Sequence, residues 1–256
     1  MILRFLGTHN AESASTRLAS FLIDEILAVD AGSLASELSF IAQENIRAIL
    51  LSHGHYDHIR DIPAFAFANS HRTTRVFATS QTLEILRSHL LDGAIYPKFT
   101  ESNSFLHEPA LELIPLKPLE PMDIEGYRVS AIPVNHSIDA VGFEITSPDG
   151  RSLFYTGDTG PSLRSVWKRV YPRLLIVDMT FPNSLEGRAR EAGHLCPRML
   201  RKELIEYHNA KGSYPHVILI HLSPQFEEDI KAEVATIAEE LGLAIDIAHE
   251  GAEFTI

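Results

Sequence analysis

Cysteine is almost missing from this chain: Cys196 is the only one in 256 residues. A lone thiol excludes an internal disulfide framework and fits a reducing compartment. Long apolar runs are missing too. None reaches the ~18 residues of a membrane span, and the opening MILRFLGTHN has no basic segment leading into an apolar one, so neither a spanning helix nor a secretory signal is expected. No Lys/Arg block appears, and the formal net charge is −12, which disfavours a long nucleic-acid track. The acidity argues only weakly against an anionic substrate, because two bound divalent cations would offset about four negative charges. The expectation is a cytoplasmic protein.

What is present is an ordinary globular composition, 45% hydrophobic, with enough apolar material for a sizeable core. Short aliphatic runs bounded by turn signals recur, among them ILRFL (2–6), IRAILLS (46–52), SLFYTG (152–157), LLIVDMTF (174–181) and HVILIHL (216–222). Helical spacing lies between them at 33–43, 80–91, 161–171, 196–210 and 223–242, with Thr79 or Ser80 placed to cap the second and Gly242 to end the last. Strand-rich stretches at 2–30 and 111–157 each lead into a strand–helix region, which suggests two related halves. No Pro/Gly/Ser linker separates them. The chain 1–256 therefore reads as one α/β domain, two packed sheets with helices outside. The stretch 92–127 has five prolines and little periodicity, and reads as an excursion near the active site or a dimer surface.

Thirteen histidines make up about 5% of the chain, roughly twice an ordinary share. Their placement matters more. In LSHGHYDHIRDIP (51–63), His53, His55, Asp57 and His58 follow an aliphatic strand within six positions. Alternate residues of an extended chain project to one side, so His53 and His55 present their rings together, with Asp57 and His58 where the chain turns into a helix. Imidazole and carboxylate are ligands that zinc, manganese and iron accept. Four such groups so close cannot all serve one tetrahedral ion that also keeps an open position, and they suit two neighbouring metals. Three further aliphatic runs end in an isolated ligand type: His136 in AIPVNHS, Asp158 in LFYTGDTG and His221 in VILIHLSP.

In this order of ligands the chain resembles the metallo-β-lactamase fold superfamily. The resemblance implies an αββα four-layer sandwich of two mixed β-sheets with outer helices, and the site at one edge between the sheets. It implies one metal on His53, His55 and His136, a second on Asp57, His58 and His221, and Asp158 bridging them. True β-lactamases commonly carry Cys where Asp158 stands. DMTFPNSLEGRAREAGHLCPRMLRKEL (178–204), LDGAIYPKFTE (91–101), GDTGP and HLSP instead look like the blocks of class II cyclic-nucleotide phosphodiesterases, in order over nearly the whole chain. Against that family's pattern, Tyr56 replaces Leu, Cys196 replaces Thr and Ser223 replaces Lys. The last change removes a cation that could help hold a phosphate.

The implied activity is hydrolysis of 3′,5′-cyclic nucleotides to nucleoside 5′-monophosphates. Two divalent ions, Zn first and Mn or Fe as alternatives, lie about 3.5–4 Å apart in such sites and share a hydroxide that attacks phosphorus in line. His194 in REAGHLCP corresponds to the non-ligand His near the leaving group, and Glu191 could orient its ring. Asp57, His194 and Glu191 are thus the catalytic candidates. A tRNA 3′-processing endonuclease is the alternative. Nucleic acid enters only under that reading, and a basic insertion to grip tRNA is missing. A non-hydrolytic diiron or metal-sensor protein ranks below both, since the redox version wants a carboxylate where His55 stands. The expected partner is a small phosphodiester, with no membrane. A homodimer is expected from family habit. Phe65, Phe67 and Tyr96 read first as core and second as base-stacking residues. Cys196 reads as a small buried residue, and His9 as a loop residue that faces the site.

Overall fold

The computed structural model describes residues 1–102 and 107–256. The aliphatic runs form strands β1 (Ile2–Gly7), β2 (Ser20–Ile23), β3 (Leu27–Val29), β4 (Ala48–Leu50), β5 (Thr74–Ala78), β6 (Leu111–Pro115) and β7 (Met122–Ile124). They continue as β8 (Tyr127–Pro133), β9 (Val141–Thr146), β10 (Ser152–Tyr155), β11 (Leu174–Asp178), β12 (His216–Ile220), β13 (Ile245–Ile247) and β14 (Glu253–Thr255). Helices are α1 (Leu34–Glu37), α2 (Phe40–Gln43), α3 (Tyr56–Ile59), α4 (Ile62–Ala68), α5 (Ser80–His89), α6 (Arg164–Trp167), α7 (Glu186–Ala192), α8 (Pro197–Lys211) and α9 (Glu227–Leu241).

Among the described residues the strands make two seven-stranded sheets, ordered β14-β1-β2-β3-β4-β5-β6 and β7-β8-β9-β10-β11-β12-β13. In both, three antiparallel pairings are followed by three parallel ones. The two halves are therefore structurally alike, with C-terminal β14 filling in the first sheet the place that β7 holds in the second. Three apolar layers hold the sandwich. Phe5, Phe21, Val129, Phe143 and Ile218 lie between the sheets. Ile49, Phe65 and Leu83 lie between the first sheet and its helices, and Trp167, Met199 and Leu204 between the second sheet and its own. Strand β11 is buried at every residue because it is covered on both faces, which is why it reads as an unbroken aliphatic run. This is the αββα architecture expected from the sequence.

Three boundaries differ from the sequence reading. The helix expected over 33–43 is two short helices, the second starting at a Ser39 cap that accepts from the Ala42 amide. The one expected over 161–171 shortens to a single turn, entered through Ser162 at φ 84°. The expected excursion 92–127 contains one of the two outer strands of each sheet, β6 and β7. Pro115 closes β6, and an edge position tolerates the missing donor. Residues 103–106 of that stretch lie outside the described residues.

The parallel strands β3, β4, β10, β11 and β12 bring their C-terminal ends to one edge. Main-chain bonds lace the sheets there: Val141 N–H donates to the Ser52 carbonyl at 3.0 Å and His221 N–H to that of Thr8 at 2.6 Å. Beside the second link, buried His9 has Nδ1 2.7 Å from Glu250 Oε1 and Nε2 3.4 Å from Glu227 Oε2. Burial disfavours the imidazolium, but Glu250 and Glu227 outweigh it and raise the pKa above its ordinary value. A raised folded-state pKa gives stability that is complete below the unfolded value of about 6.5 and lost as pH rises through the folded one. The stability advantage of wild type over His9→Gln should therefore shrink as pH rises above about 6.5 in urea unfolding. An advantage that grows over that range would contradict this ion-pair account.

Candidate metal centre

Strand β4 is buried throughout and runs straight into Leu51–Ser52–His53. The chain stays extended to His55, the N-cap of α3, which throws His53 and His55 to the same side. The first turn of α3 then carries Asp57 and His58. That turn lies so close to the loop after β3 that a Cβ on Gly32 would stand 2.2 Å from the Asp57 carbonyl oxygen, so only glycine fits there. His136 follows β8, and Asp158 follows β10 through Gly157 at φ 60°. His221 follows β12 and is itself held at φ 70°, a left-handed backbone uncommon outside glycine and often found at functional sites.

These seven side chains converge. His53, His55, His136 and Asp158 form one group, and Asp57, His58, Asp158 and His221 a second, with Asp158 common to both. In the first, His55 Nδ1 lies 3.1 Å from His53 Nε2 and 3.0 Å from His136 Nε2. In the second, His221 Nε2 lies 3.1 Å from Asp57 Oδ2 and 3.3 Å from Asp158 Oδ2. His58 Nε2 is 3.3 Å from Asp158 Oδ1. Donors around one tetrahedral zinc, each 2.0–2.1 Å from it, lie roughly 3.4 Å apart, so the spacing fits. The orphaned atoms make the same point. His58 Nε2 and Asp158 Oδ1 are buried without a hydrogen-bond partner, a costly arrangement that a shared cation relieves.

In four of the five histidines the far ring nitrogen is pinned from behind. His58 Nδ1 faces Asp30 Oδ2 at 2.8 Å, His53 Nδ1 faces Ser52 Oγ at 3.0 Å, His136 Nδ1 the Gly193 carbonyl at 2.9 Å, and His221 Nδ1 Thr180 Oγ1 at 2.8 Å. Such partners fix ring orientation and aim the other nitrogen at the metal. Asp30, at φ 56°, is the hub of this layer. It also accepts from the Ser52 amide and hydroxyl and from the Tyr155 hydroxyl at 2.7 Å. Tyr155 belongs to the second sheet and Asp30 to the first, so one carboxylate joins both sheets to the site. Neither Asp30 nor Asp178 is identified by sequence spacing. The only signal is an acidic residue ending an aliphatic run, as in ILAVD and LLIVD.

His194 lies at the edge of the cluster, its ring stacked 5.4 Å from that of His221. Its Nδ1 is 2.9 Å from Asp178 Oδ2, which leaves Nε2 for the cavity. Burial lowers the His194 pKa, but Asp178 outweighs it and the net shift is upward. The carboxylate facing this ring is therefore Asp178 and not Glu191, which sits exposed on α7. Gly193, left-handed at φ 75°, ends α7 between residues 191 and 194.

Burial, with neighbouring imidazoles, pushes His53, His55 and His136 down, so their lone pairs are free at neutral pH. Burial opposes the charges on Asp158 and Asp57 as well, but the adjoining His221 and His58 hold both carboxylates well below the usual range. His221 is raised to about 10 against the cost of burial, by Asp158 and its other acidic neighbours. A metal would replace the proton on that ring.

A cavity of about 480 Å³ opens over the cluster, a usual size for a small-ligand site. Asn10, Glu12, Tyr56, Arg60 and His194 line it with ligand residues of both groups. His9 lies in the loop beside it but engages Glu250 and Glu227 instead. Phe65 is fully buried and Tyr96 packs on Phe99, and neither these nor Phe67 is among the described lining residues. Cys196 is buried at the start of α8. Asp30→Asn should weaken divalent-metal affinity by about 10–100-fold in chelator competition while leaving a folded circular-dichroism spectrum. Unchanged affinity would remove Asp30 from the site.

Comparison with known proteins gives the family. The family described as Beta-lactamase superfamily domain matches residues 22–222. A probable 3′,5′-cyclic-nucleotide phosphodiesterase of Yersinia pestis is 23% identical over 211 residues, 74% of this chain, and the chain spans 60% of that relative's length. A ribonuclease Z of Kineococcus radiotolerans is 22% identical over 261 residues, covering 82% of this chain and 78% of that protein. The crystal structure of unliganded yeast PDE1 superposes with a TM-score of 0.85 at 18% identity, covering 100% of this chain and 99% of that one, and shows the shared fold. Matched over residues 22–222 and folded as that superfamily folds, with histidines and aspartates gathered into groups that could hold a metal ion, the chain belongs to the β-lactamase superfamily.

Proposed function

We propose that the chain is a dinuclear phosphodiesterase that hydrolyses 3′,5′-cyclic nucleotides, cyclic AMP or cyclic GMP, to nucleoside 5′-monophosphates. The observation that carries this choice is the charge of the cavity. Arg60 is the one arginine or lysine among its described lining residues, and it is already engaged by Glu12 and by Asp61. Single- or double-stranded RNA is held largely through cations on its phosphates, and this cleft offers none to spare. A substrate with one phosphate, neutralised by the metals, suits it. The name of the Yersinia relative supports the same reading, and that of the Kineococcus relative supports the endonuclease alternative.

His53, His55, His136 and Asp158 would hold one divalent ion, and Asp57, His58, His221 and Asp158 the other. The donor set suits zinc, and manganese or iron bind the same types. When bound, such ions supply Lewis acidity to the phosphoryl oxygens and an activated water as nucleophile. The oxygen of water bonds to phosphorus and the bond to the ribose 3′ oxygen breaks. That oxygen then needs a proton. His194 Nε2 would give it, and Asp178 on Nδ1 supports this role by orienting the ring and favouring its cationic form. The homodimer and cytoplasmic location expected from the sequence belong to the same proposal. Among the described residues no helix is long and apolar enough to cross a membrane.

The test is turnover of cyclic AMP and cyclic GMP beside bis-p-nitrophenyl phosphate and a precursor tRNA, with metal content assayed. We expect cyclic-nucleotide hydrolysis that falls about 10²–10⁴-fold in His194→Ala with metal retained. Activity confined to the generic ester, or cleavage of the tRNA alone, would sink the cyclic-nucleotide reading.

A further inference from the structure

Tyr56 stands between two residues of the cluster, His55 and Asp57, as the first residue of α3. It is 62% exposed. Its carbonyl accepts from the Arg60 amide, but no hydrogen bond or ring contact joins its side chain to any described residue, and it lines the cavity over the cluster. Exposed apolar residues are common and ordinarily need no explanation. Phe40 and Ile41 are more exposed than Tyr56, and nothing shows what would cover them. Tyr56 differs by its place. The residues on either side of it, His55 and Asp57, belong one to each ligand group and line the same cavity.

The neighbouring wall is rigid. Arg60 follows at i+4 on the same face of the helix. Its guanidinium is tied to Glu12 at the far lip, to Asp61 Oδ1 at 3.0 Å and to Ser36 Oγ at 3.3 Å. Its charge is matched and its planar group fixed, so it bounds the cleft and does not reach for phosphate. Opposite, the Asn10 amide nitrogen donates to Ser223 Oγ at 2.9 Å and holds that side of the mouth. The cavity is therefore lined by ligand residues, a tied guanidinium and amide, the small apolar contributions of Ala11 and Leu18, and one unengaged phenol ring.

On the phosphodiesterase reading above, we infer that Tyr56 is the specificity residue for the organic part of the substrate, and that this part is a planar nucleobase stacked on its ring. Base–aromatic stacking is tolerant of base identity, so Tyr56 selects for a base against none, and not adenine against guanine. Its hydroxyl is dispensable, since it contacts nothing. The ring is what the substrate uses.

The experiment is calorimetric titration of the metal-loaded protein with AMP and, separately, with ribose 5-phosphate, which has the same phosphate and sugar and no base. The quantity read is the ratio of the two affinities. In wild type AMP should bind more tightly, and Tyr56→Ala should reduce the ratio by roughly tenfold. Tyr56→Phe should keep it, while Tyr56→Leu, which preserves bulk without an aromatic face, should lose it like Ala. If wild type binds the two ligands equally, or if Ala and Leu weaken both ligands by the same factor, Tyr56 serves helix or metal placement and the inference fails. It fails too if no variant changes the ratio. Wild-type turnover of cyclic nucleotides judges the phosphodiesterase reading separately, so the two can fail independently.

Discussion

A carboxylate sealed from water must be matched by positive charge or it does not stay ionised. Asp158 is 2% exposed, with His53, His58 and His221 around it. Imidazoles alone do not satisfy it, because Asp158 Oδ1 and His58 Nε2 remain without partners. Divalent metal would resolve this, and in the proposed dinuclear site the rest of the cluster is the apparatus for presenting seven donors to it. Asp30 and Asp178 extend the principle outward. Each is buried, and each is held by hydroxyl, amide and imidazole donors that in turn aim a ring.

The sandwich supplies what this demands. Each sheet changes from antiparallel to parallel pairing at its middle, so several strands finish side by side at the same edge. Side chains that follow those ends can meet across the seam without crossing the apolar layer between the sheets. The geometry has local costs. Asp30 and His221 sit in left-handed backbone, each at a price on the order of 1 kcal/mol, and both are fixed by surrounding hydrogen bonds. Stability lost at these residues is returned as a site arranged before any ligand arrives.

Much of this was legible in the sequence, for identifiable reasons. His53, His55, Asp57 and His58 are local, and the period of a strand followed by a helical turn determines where they point. His136, Asp158 and His221 are visible because an isolated ligand type ends an aliphatic run. The four-layer fold followed from the resemblance and from the recurrence of strands in two halves. Asp30 was not legible, because its partners Ser52, His58 and Tyr155 lie 22, 28 and 125 residues away and only tertiary structure unites them. Nearness in sequence to His194 points to Glu191, whereas the carboxylate at its ring is that of Asp178, 16 residues upstream. Tyr56 registered only as a departure from a motif. Its meaning depends on a cavity that no spacing reveals.

The central claim is that two metals share Asp158, and bound-metal stoichiometry tests it most directly. Protein loaded with zinc or manganese, freed of loosely held ions and analysed by elemental mass spectrometry should carry about two ions per chain, and Asp158→Ala should lose at least one of them while remaining folded. One ion per chain in wild type, or two retained in Asp158→Ala, would contradict the shared-carboxylate site.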